Sequence, residues 1–358
     1  MIRVGLLYGG RSGEHDVSLC SAASVAENLD VDKYDIIAIG IGRDGRWHVQ
    51  DSVVVIEDKD FGKKLALEDT GTWYVNHFEE GGVLRVFEPV TGRSISVDVV
   101  FPVVHGTYCE DGTLQGLLEL ARVPYVGADV LGSSVGMDKD VAKRLLRDGG
   151  IPVVPWITIT SRQWNEERIQ CERDIVDTIG IPAFVKPANA GSSVGIKKIH
   201  EPSQIADAVK FALQFDSKIL VEKAVQCREI ECSVLGNEVP RVSGAGEIVP
   251  NHEFYSYDAK YIDPDGAKLI IPADIDEKVS GQITSAACNA YKILCCGGMA
   301  RVDFFLEKNS NSFYLNEINT LPGFTTISMY PKLWEKSGIG YKDLLDILID
   351  LAFQRRTQ

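Results

Sequence analysis

The chain has 358 residues, with 37 Lys and Arg against 51 Asp and Glu, a formal charge of −14, and 45% hydrophobic against 25% charged residues. This is an ordinary globular composition, neither disordered nor fibrous, and the length suggests two or three domains able to bury a core without disulfides or metals. An acidic balance with no Lys/Arg-rich block argues against nucleic acid or an anionic membrane as the main partner, and no apolar run approaches the roughly 18 residues of a membrane span.

The opening MIRVGLLYGG passes quickly into charged residues and reads as a first strand, not a signal peptide. From there to about residue 138, IRVGLLY, SLCSAASVAENL, YDIIAIGI, VDVVFPVV and TLQGLLELAR alternate strand and helix patterns, which argues for a parallel α/β sheet. Between 139 and 222 come a helix at 141–147, the strand-like VVPWITIT, a helix near 166–175, the segment AFVKPANAGSSVGIKKI and a helix over 202–215, forming a smaller unit. From 223 to 358, strands ECSVLG, MARVDFFLE and SFYLNEIN with helices VSGQITSAACNAYKIL and YKDLLDILIDLAFQRR make an α+β unit. The stretch 249–266, rich in Asp, Tyr and Pro, lacks periodicity and is long for a connection, as lids and binding loops are. The eight cysteines include no C-x-x-C pair, so buried free thiols in a reducing cytosol are expected.

Two glycine-rich segments invite a nucleotide reading and do not carry it. GIGRDG at 40–45 matches the dinucleotide pattern, but the following RWHVQD is no helix, so a turn between strands is expected. GSSVG at 191–195 lacks the spacing and the Gly-Lys-Ser/Thr ending of a Walker A loop.

Alternation along a strand puts Arg301 and Asp303 on one face, and Glu317 and Asn319 on one face of the next. Two such strands can converge Asp303, Glu317 and Asn319 on one point, an oxygen donor set that suits one Mg²⁺ or a pair about 3.5–4 Å apart. The alternative is a solvent-facing strand pair, yet both carboxylates lie in otherwise apolar strands, where an unpaired charge is costly. Lys186 ends an apolar strand and precedes a Gly/Ser loop, so its charge and the loop's N–H groups can meet phosphate. Glu222 and Glu229 offer acceptors for ribose and adenine donors, or surface ion pairs. Glu14, where GGRSGEHDVS turns from strand to helix, can hold a substrate ammonium or simply complement the helix N-terminus. HGTYCEDGT occupies a similar strand-to-helix position, with Thr113 a possible helix cap.

In chain order, GGRSGEHDVS, HGTYCEDGTLQG, GMDK, VKPANAGSSVG, VEK, REIECSVLGN, FYSYDAKY, RVDFFLE and NEINTLPGFTTISMYP closely resemble the D-alanine–D-alanine ligases of the ATP-grasp superfamily, over essentially the whole chain. The resemblance implies a three-domain ATP-grasp architecture mixing α/β and α+β, with an N-terminal parallel α/β domain (1–138), a small central domain (139–222) and a C-terminal domain (223–358), ATP being gripped between the last two. It implies the reaction ATP + 2 D-Ala → D-Ala-D-Ala + ADP + phosphate, supplying peptidoglycan precursors in the bacterial cytoplasm, and a homodimer. By matching position, Lys139 and Lys186 would contact ATP phosphates, Glu222 and Lys223 would lie near adenine, and Glu229 on the ribose. Asp303, Glu317 and Asn319 would hold two Mg²⁺, for which Mn²⁺ can substitute. Glu14 would orient the first D-Ala ammonium with Ser192 and Tyr261, close to His105. Ser328 and Met329 would meet the second D-Ala carboxylate, Lys260 would reach the transferred phosphoryl group, and Arg301 with the Gly323 N–H would stabilise the oxyanion.

Rival readings are a D-alanine–D-lactate or other carboxylate–amine ligase, and a nucleotide-binding module without catalysis. Relatives that make the depsipeptide often carry Phe where Tyr261 stands here, which favours the dipeptide by analogy. Cys109 stands where relatives often have glycine and reads as incidental. A loop carrying Lys260 and Tyr261 suits a lid that keeps water from an acyl phosphate. Lys260→Ala is therefore expected to lose turnover with little loss of stability, and unchanged turnover in that variant would remove the lid assignment.

Overall fold

The structure, a computed structural model, describes residues 1–76, 82–250 and 266–356. The first sheet runs Trp47–Val49, Tyr34–Ile41, Ile2–Gly9, Val99–Pro102, with Ile2–Gly9 parallel to both its neighbours. Near-continuous apolar runs such as VGLLY fit a strand covered on both faces. The chain leaves Ile2–Gly9 through Gly9 and Gly10 at φ 90 and 110, and a Cβ on Gly9 would stand 2.3 Å from the Ile41 carbonyl oxygen, so glycine alone fits this turn. It then enters the helix His15–Asn28, nearly all of it buried. The GIGRDG segment is a hairpin turn, closed by Gly42 N–H to Arg46 O (2.8 Å) and followed by antiparallel pairing of Ile39 with Val49.

Within 55–76 and 82–97, strands of three to five residues form small antiparallel sheets, which the sequence pattern does not reveal because so short a run carries little periodicity. The helix expected near 166–175 begins earlier, as Ser161–Glu166 and Arg168–Asp174, because Thr160 and Gln163 form a reciprocal capping box. Thr113 does not cap its helix: Gly112 precedes Thr113–Leu120, and Asp111 Oδ1 accepts the Thr113 N–H. The sequence pattern does not reveal the helices Val130–Met137 and Met329–Lys336 either.

The second sheet is antiparallel, in the order Trp156–Thr160, Lys218–Lys223, Ala183–Pro187, Lys197–Ile199. The third is also antiparallel, in the order Ala267–Ile270, Gly246–Pro250, Cys227–Leu235, Met299–Glu307, Phe313–Asn319. Helix packing ties the sheets together. Ala142 and Leu146 of the helix Lys139–Asp148 bury in one cluster with Ile230, Ala290 and Phe304 of the third unit. Leu344, Leu345, Leu348 and Ile349 of the last helix, Tyr341–Arg356, share a cluster with Val4, Leu6 and Val100 of the first sheet. The C-terminal segment thus completes the N-terminal core and holds the loop before it, 320–328, against the first sheet's open end. Among the described residues no helix is long and apolar enough to cross a membrane. The cysteines are free, Cys20, Cys109, Cys171 and Cys232 being buried and Cys295 exposed.

Candidate active site

One cleft draws residues from the turn after Ile2–Gly9, the loop at 105–110, the loop at 191–192, the third sheet and the segment 321–332. Its acidic wall is set by strand register. Arg301 lies opposite Asn319 and Asp303 opposite Glu317, with an irregularity after Asp303 that pairs Phe304 with Leu315. Such a bulge re-aims side chains, here Glu317 and the skipped Asn316 toward the cleft. Arg301 Nε and Nη2 donate to Asp303 Oδ1 and Oδ2 at 2.8 and 2.7 Å, and Asn319 Nδ2 donates to Oδ2 at 3.0 Å. Glu231, which faces Asp303 from the adjoining strand, puts Oε2 3.0 Å from Arg301 Nε. Glu317 Oε2 lies 3.4 Å from Lys139 Nζ. The three residues expected to hold metal, and Arg301, therefore do meet.

Among the described residues no three His, Cys, Asp or Glu side chains form a ready-made metal cage. Two carboxylates and an amide remain, all hard oxygen donors, and this fits Mg²⁺, which keeps waters and takes its other ligands from substrate phosphates. Asp303 Oδ2 already accepts two hydrogen bonds, so Oδ1 is the oxygen with a lone pair to give a cation.

Beyond that wall, Lys186 closes the strand Ala183–Pro187 and Lys139 opens its helix, with Nζ donating to Ala190 O at 2.7 Å. Glu222 is 3% exposed, so it forms no surface pair. Its Oε2 meets Lys186 Nζ at 2.5 Å and its Oε1 meets Lys143 Nζ at 2.9 Å. Lys143 also donates to Val154 O at 3.1 Å and lies over the Trp156 ring. Burial opposes ionisation of Glu222, but Lys143 and Lys186 outweigh it and hold its carboxyl below the usual range. Burial pulls the Lys143 ammonium down to about 8. Lys143 is not among the residues that the sequence motifs single out. Its signal was the i,i+4 spacing from Lys139, which puts both ammoniums on one helix face. Glu229 lines the cleft, whereas exposed Lys223 borders a neighbouring depression with Pro155 and Tyr314.

On the opposite side, Glu14 is buried at the start of its helix yet makes no capping bond. It instead accepts the hydroxyl of Ser192, a partner that complementing the helix N-terminus does not require. Ser192 and Ser193 sit at φ 46 and 61, a left-handed conformation uncommon for side-chain-bearing residues and often found at ligand clamps. A Cβ on Gly106 would come within 2.7 Å of Glu14 Oε2. Glu110, also missed by the sequence analysis, lines the same cleft and accepts the Gly106 N–H at 2.9 Å. Burial and the Glu14 charge push its carboxyl well up, toward the neutral form. His105 is buried, and burial holds it toward neutral imidazole.

The loop of the second expected subsite follows. Ser328 Oγ accepts the Thr325 N–H at 3.0 Å, and a Cβ on Gly323 would stand 2.9 Å from that oxygen. Met329 is buried at the start of its helix. Lys260 and Tyr261 lie outside the described residues.

Comparison with known proteins identifies the family. A model described as D-ala D-ala ligase N-terminus matches residues 3–128, and one described as D-ala D-ala ligase C-terminus matches 145–350. The D-alanine–D-alanine ligase A of Escherichia coli K12 is 47% identical over 355 residues, covering 99% of this chain and 96% of that protein. A D-alanine–D-alanine ligase of Shouchella clausii is 48% identical over 357 residues, covering 99% and 95%. Among solved structures, the D-alanine–D-alanine ligase of Coxiella burnetii superposes with a TM-score of 0.79 at 37% identity, over 100% of this chain and 96% of that one. The VanG D-Ala:D-Ser ligase of Enterococcus faecalis gives 0.81 at 35%, over 98% and 99%. With both halves matched by family models and the relatives aligned nearly end to end, this chain belongs to the D-alanine–D-alanine ligase family and has its ATP-grasp fold.

Proposed function

We propose that this chain joins two D-alanines into D-alanyl-D-alanine, using ATP and releasing ADP and phosphate through an acyl phosphate. The observation that carries the reading is the meeting in one cleft of the Glu14–Ser192 pair with the Arg301, Asp303, Glu317 and Asn319 group. The first pair suits a substrate ammonium, and the second suits a phosphoryl group arriving with its cation.

In this reading Asp303, Glu317 and Asn319 hold Mg²⁺, which when bound offsets phosphate charge. Lys139 and Lys186 set positive charge beside the phosphates, Glu222 with Lys143 fixes the Lys186 ammonium, and Glu229 meets the ribose. Lys223 stands at the adenine end. Glu14, Ser192 and Tyr261 hold the first D-alanine so that its carboxylate attacks the γ-phosphoryl group. Catalysis at that step is largely positioning and charge stabilisation. The amine of the second D-alanine, its carboxylate on Ser328 beside Met329, then attacks the activated carbonyl. Arg301 and the Gly323 N–H face the developing oxyanion, which is the placement that lowers such a barrier most. Phosphate departs as the amide forms. Lys260 belongs to the lid over this sequence of events. Division into units 1–138, 139–222 and 223–358, a homodimer and a bacterial-cytoplasmic setting belong to the same reading, and the lack of paired cysteines fits a reducing compartment.

The test is release of ADP and phosphate from ATP and Mg²⁺ with D-alanine, with L-alanine, and with D-alanine plus D-lactate, the product being identified by mass. D-alanine-dependent release yielding the dipeptide, and none with L-alanine, is expected. Binding of ATP without D-alanine-dependent release would overturn the reading.

A further inference from the structure

The helix His15–Asn28 carries three buried serines, Ser18, Ser21 and Ser24, at three-residue spacing in an otherwise apolar segment. A buried hydroxyl needs partners. Ser18 finds them in its own sheet, accepting the Gly9 N–H and donating to Val103 O, both at 2.7 Å. Ser21 reaches instead to Phe324, beside Gly323, and Ser24 to Tyr341 at the start of the last helix, both some 300 positions later.

The donors and acceptors there leave only one assignment. His105 Nδ1 lies 3.1 Å from the Leu321 carbonyl oxygen, which can only accept, so Nδ1 carries the ring proton. In a neutral imidazole Nε2 is then the acceptor, and Ser21 Oγ, 3.2 Å away, donates to it. Having donated, that oxygen still accepts, and the Phe324 N–H meets it at 3.2 Å. The carbonyl of the same residue accepts the Tyr341 hydroxyl at 2.7 Å, and the Tyr341 oxygen in turn accepts from Ser24 Oγ at 3.0 Å. The residue after Gly323 is thus gripped at its N–H and its C=O by two hydroxyls one helical turn apart, one acting directly and one through Tyr341. His105 has both ring nitrogens engaged inside the protein, one on the helix and one on the loop.

We infer that Ser21 is a positioning residue for the second substrate's subsite, setting, together with His105, Ser24 and Tyr341, the placement of the loop 321–328. The inference deepens the ligase reading and rests on it. Ser21 touches no reacting atom. It acts through the orientation of the Gly323 N–H and Ser328.

The test compares wild type with Ser21→Ala, which leaves the buried His105 Nε2 and Phe324 N–H without their partner, so a melting curve accompanies the kinetics to show that the variant is folded. Losing its two bonds, to His105 and to the Phe324 N–H, is expected to raise the Michaelis constant for the second D-alanine about tenfold. The constants for ATP and the first D-alanine stay within about twofold, while the turnover number falls with the displaced Gly323 N–H that faces the oxyanion. Equal loss across all three constants, or none, would overturn the inference. A second measurement is independent of turnover. Long-range ¹H–¹⁵N imidazole spectra, with the His105 signal assigned by its loss in His105→Asn, are expected to show the Nδ1–H tautomer and an Nε2 resonance that moves in Ser21→Ala. An Nε2–H tautomer in the wild type would overturn the chain of bonds. If wild type itself consumes no D-alanine, the ligase reading fails, and the tautomer still decides whether Ser21 holds the loop.

Discussion

Arg301→Met is expected to lower D-alanine-dependent turnover roughly 10²–10³-fold, the usual effect of removing one oxyanion donor, with ATP binding changed only a few-fold. The guanidinium sits on the strand Met299–Glu307, paired on both sides in the third sheet, bidentate to Asp303 and 3.0 Å from Glu231. Both carboxylates keep it from swinging into solvent, so its charge is fixed before substrate arrives and needs little reorganisation during the reaction. Methionine preserves the length of the side chain and removes the charge. It also leaves Asp303 and Glu231 facing each other without their shared cation, so some loss of thermal stability should accompany the loss of rate. Arg301 is partly exposed, and screening makes that second effect the smaller one. Steady-state kinetics with D-alanine and ATP varied separately, beside a melting curve, separates the two. A turnover number within threefold of wild type would remove Arg301 from oxyanion stabilisation.

The sequence exposed this part of the site because strand alternation is a local property. Two residues apart means the same face, so Arg301 with Asp303 and Glu317 with Asn319 could be grouped before any fold was known, and antiparallel register then set the two groups opposite each other. Glu231 escaped for the converse reason. It lies on a strand some 70 positions earlier, and only the pairing of that strand with Met299–Glu307 brings it to Arg301. Lys143 and Glu110 were hidden differently, each in a segment already explained by a neighbour, Lys139 and His105. The alternating strands and helices of the first sheet were legible as a parallel α/β pattern, while the short strands of 55–97 were too brief to show a period. That the last helix completes the first sheet's core depends on long-range packing that amphipathicity alone does not specify.

Glu222→Gln should destabilise the protein by about 3–5 kcal/mol, the scale of breaking a buried ion pair from one side. The amide keeps the shape but leaves Lys143 and Lys186 buried and close together without the carboxylate that both contact. Turnover should fall as well, because the Lys186 ammonium loses the partner that fixes it. The pH dependence gives the effect its signature. The two lysines hold the Glu222 carboxyl below the usual range in the folded state, so the stability it contributes is present above its unfolded value of roughly 4.3 and is lost as pH falls below it. The gap between wild type and Glu222→Gln should therefore be widest near neutrality and close on acidification. Lys143 acts in the opposite sense. Burial holds it at about 8, below its unfolded value of roughly 10.4, so across that window the unfolded chain binds more protons and this group's contribution to stability rises with pH. In the variant, without the facing carboxylate, the Lys143 value should fall further and the rise should begin at lower pH. Denaturant titrations of both proteins across the acidic and alkaline ranges measure these slopes. A gap that stays unchanged well below roughly pH 4.3, down to the acid end of the folded range, would mean that Glu222 is not held as a paired carboxylate, and its two lysines would then have to be neutralised in some other way.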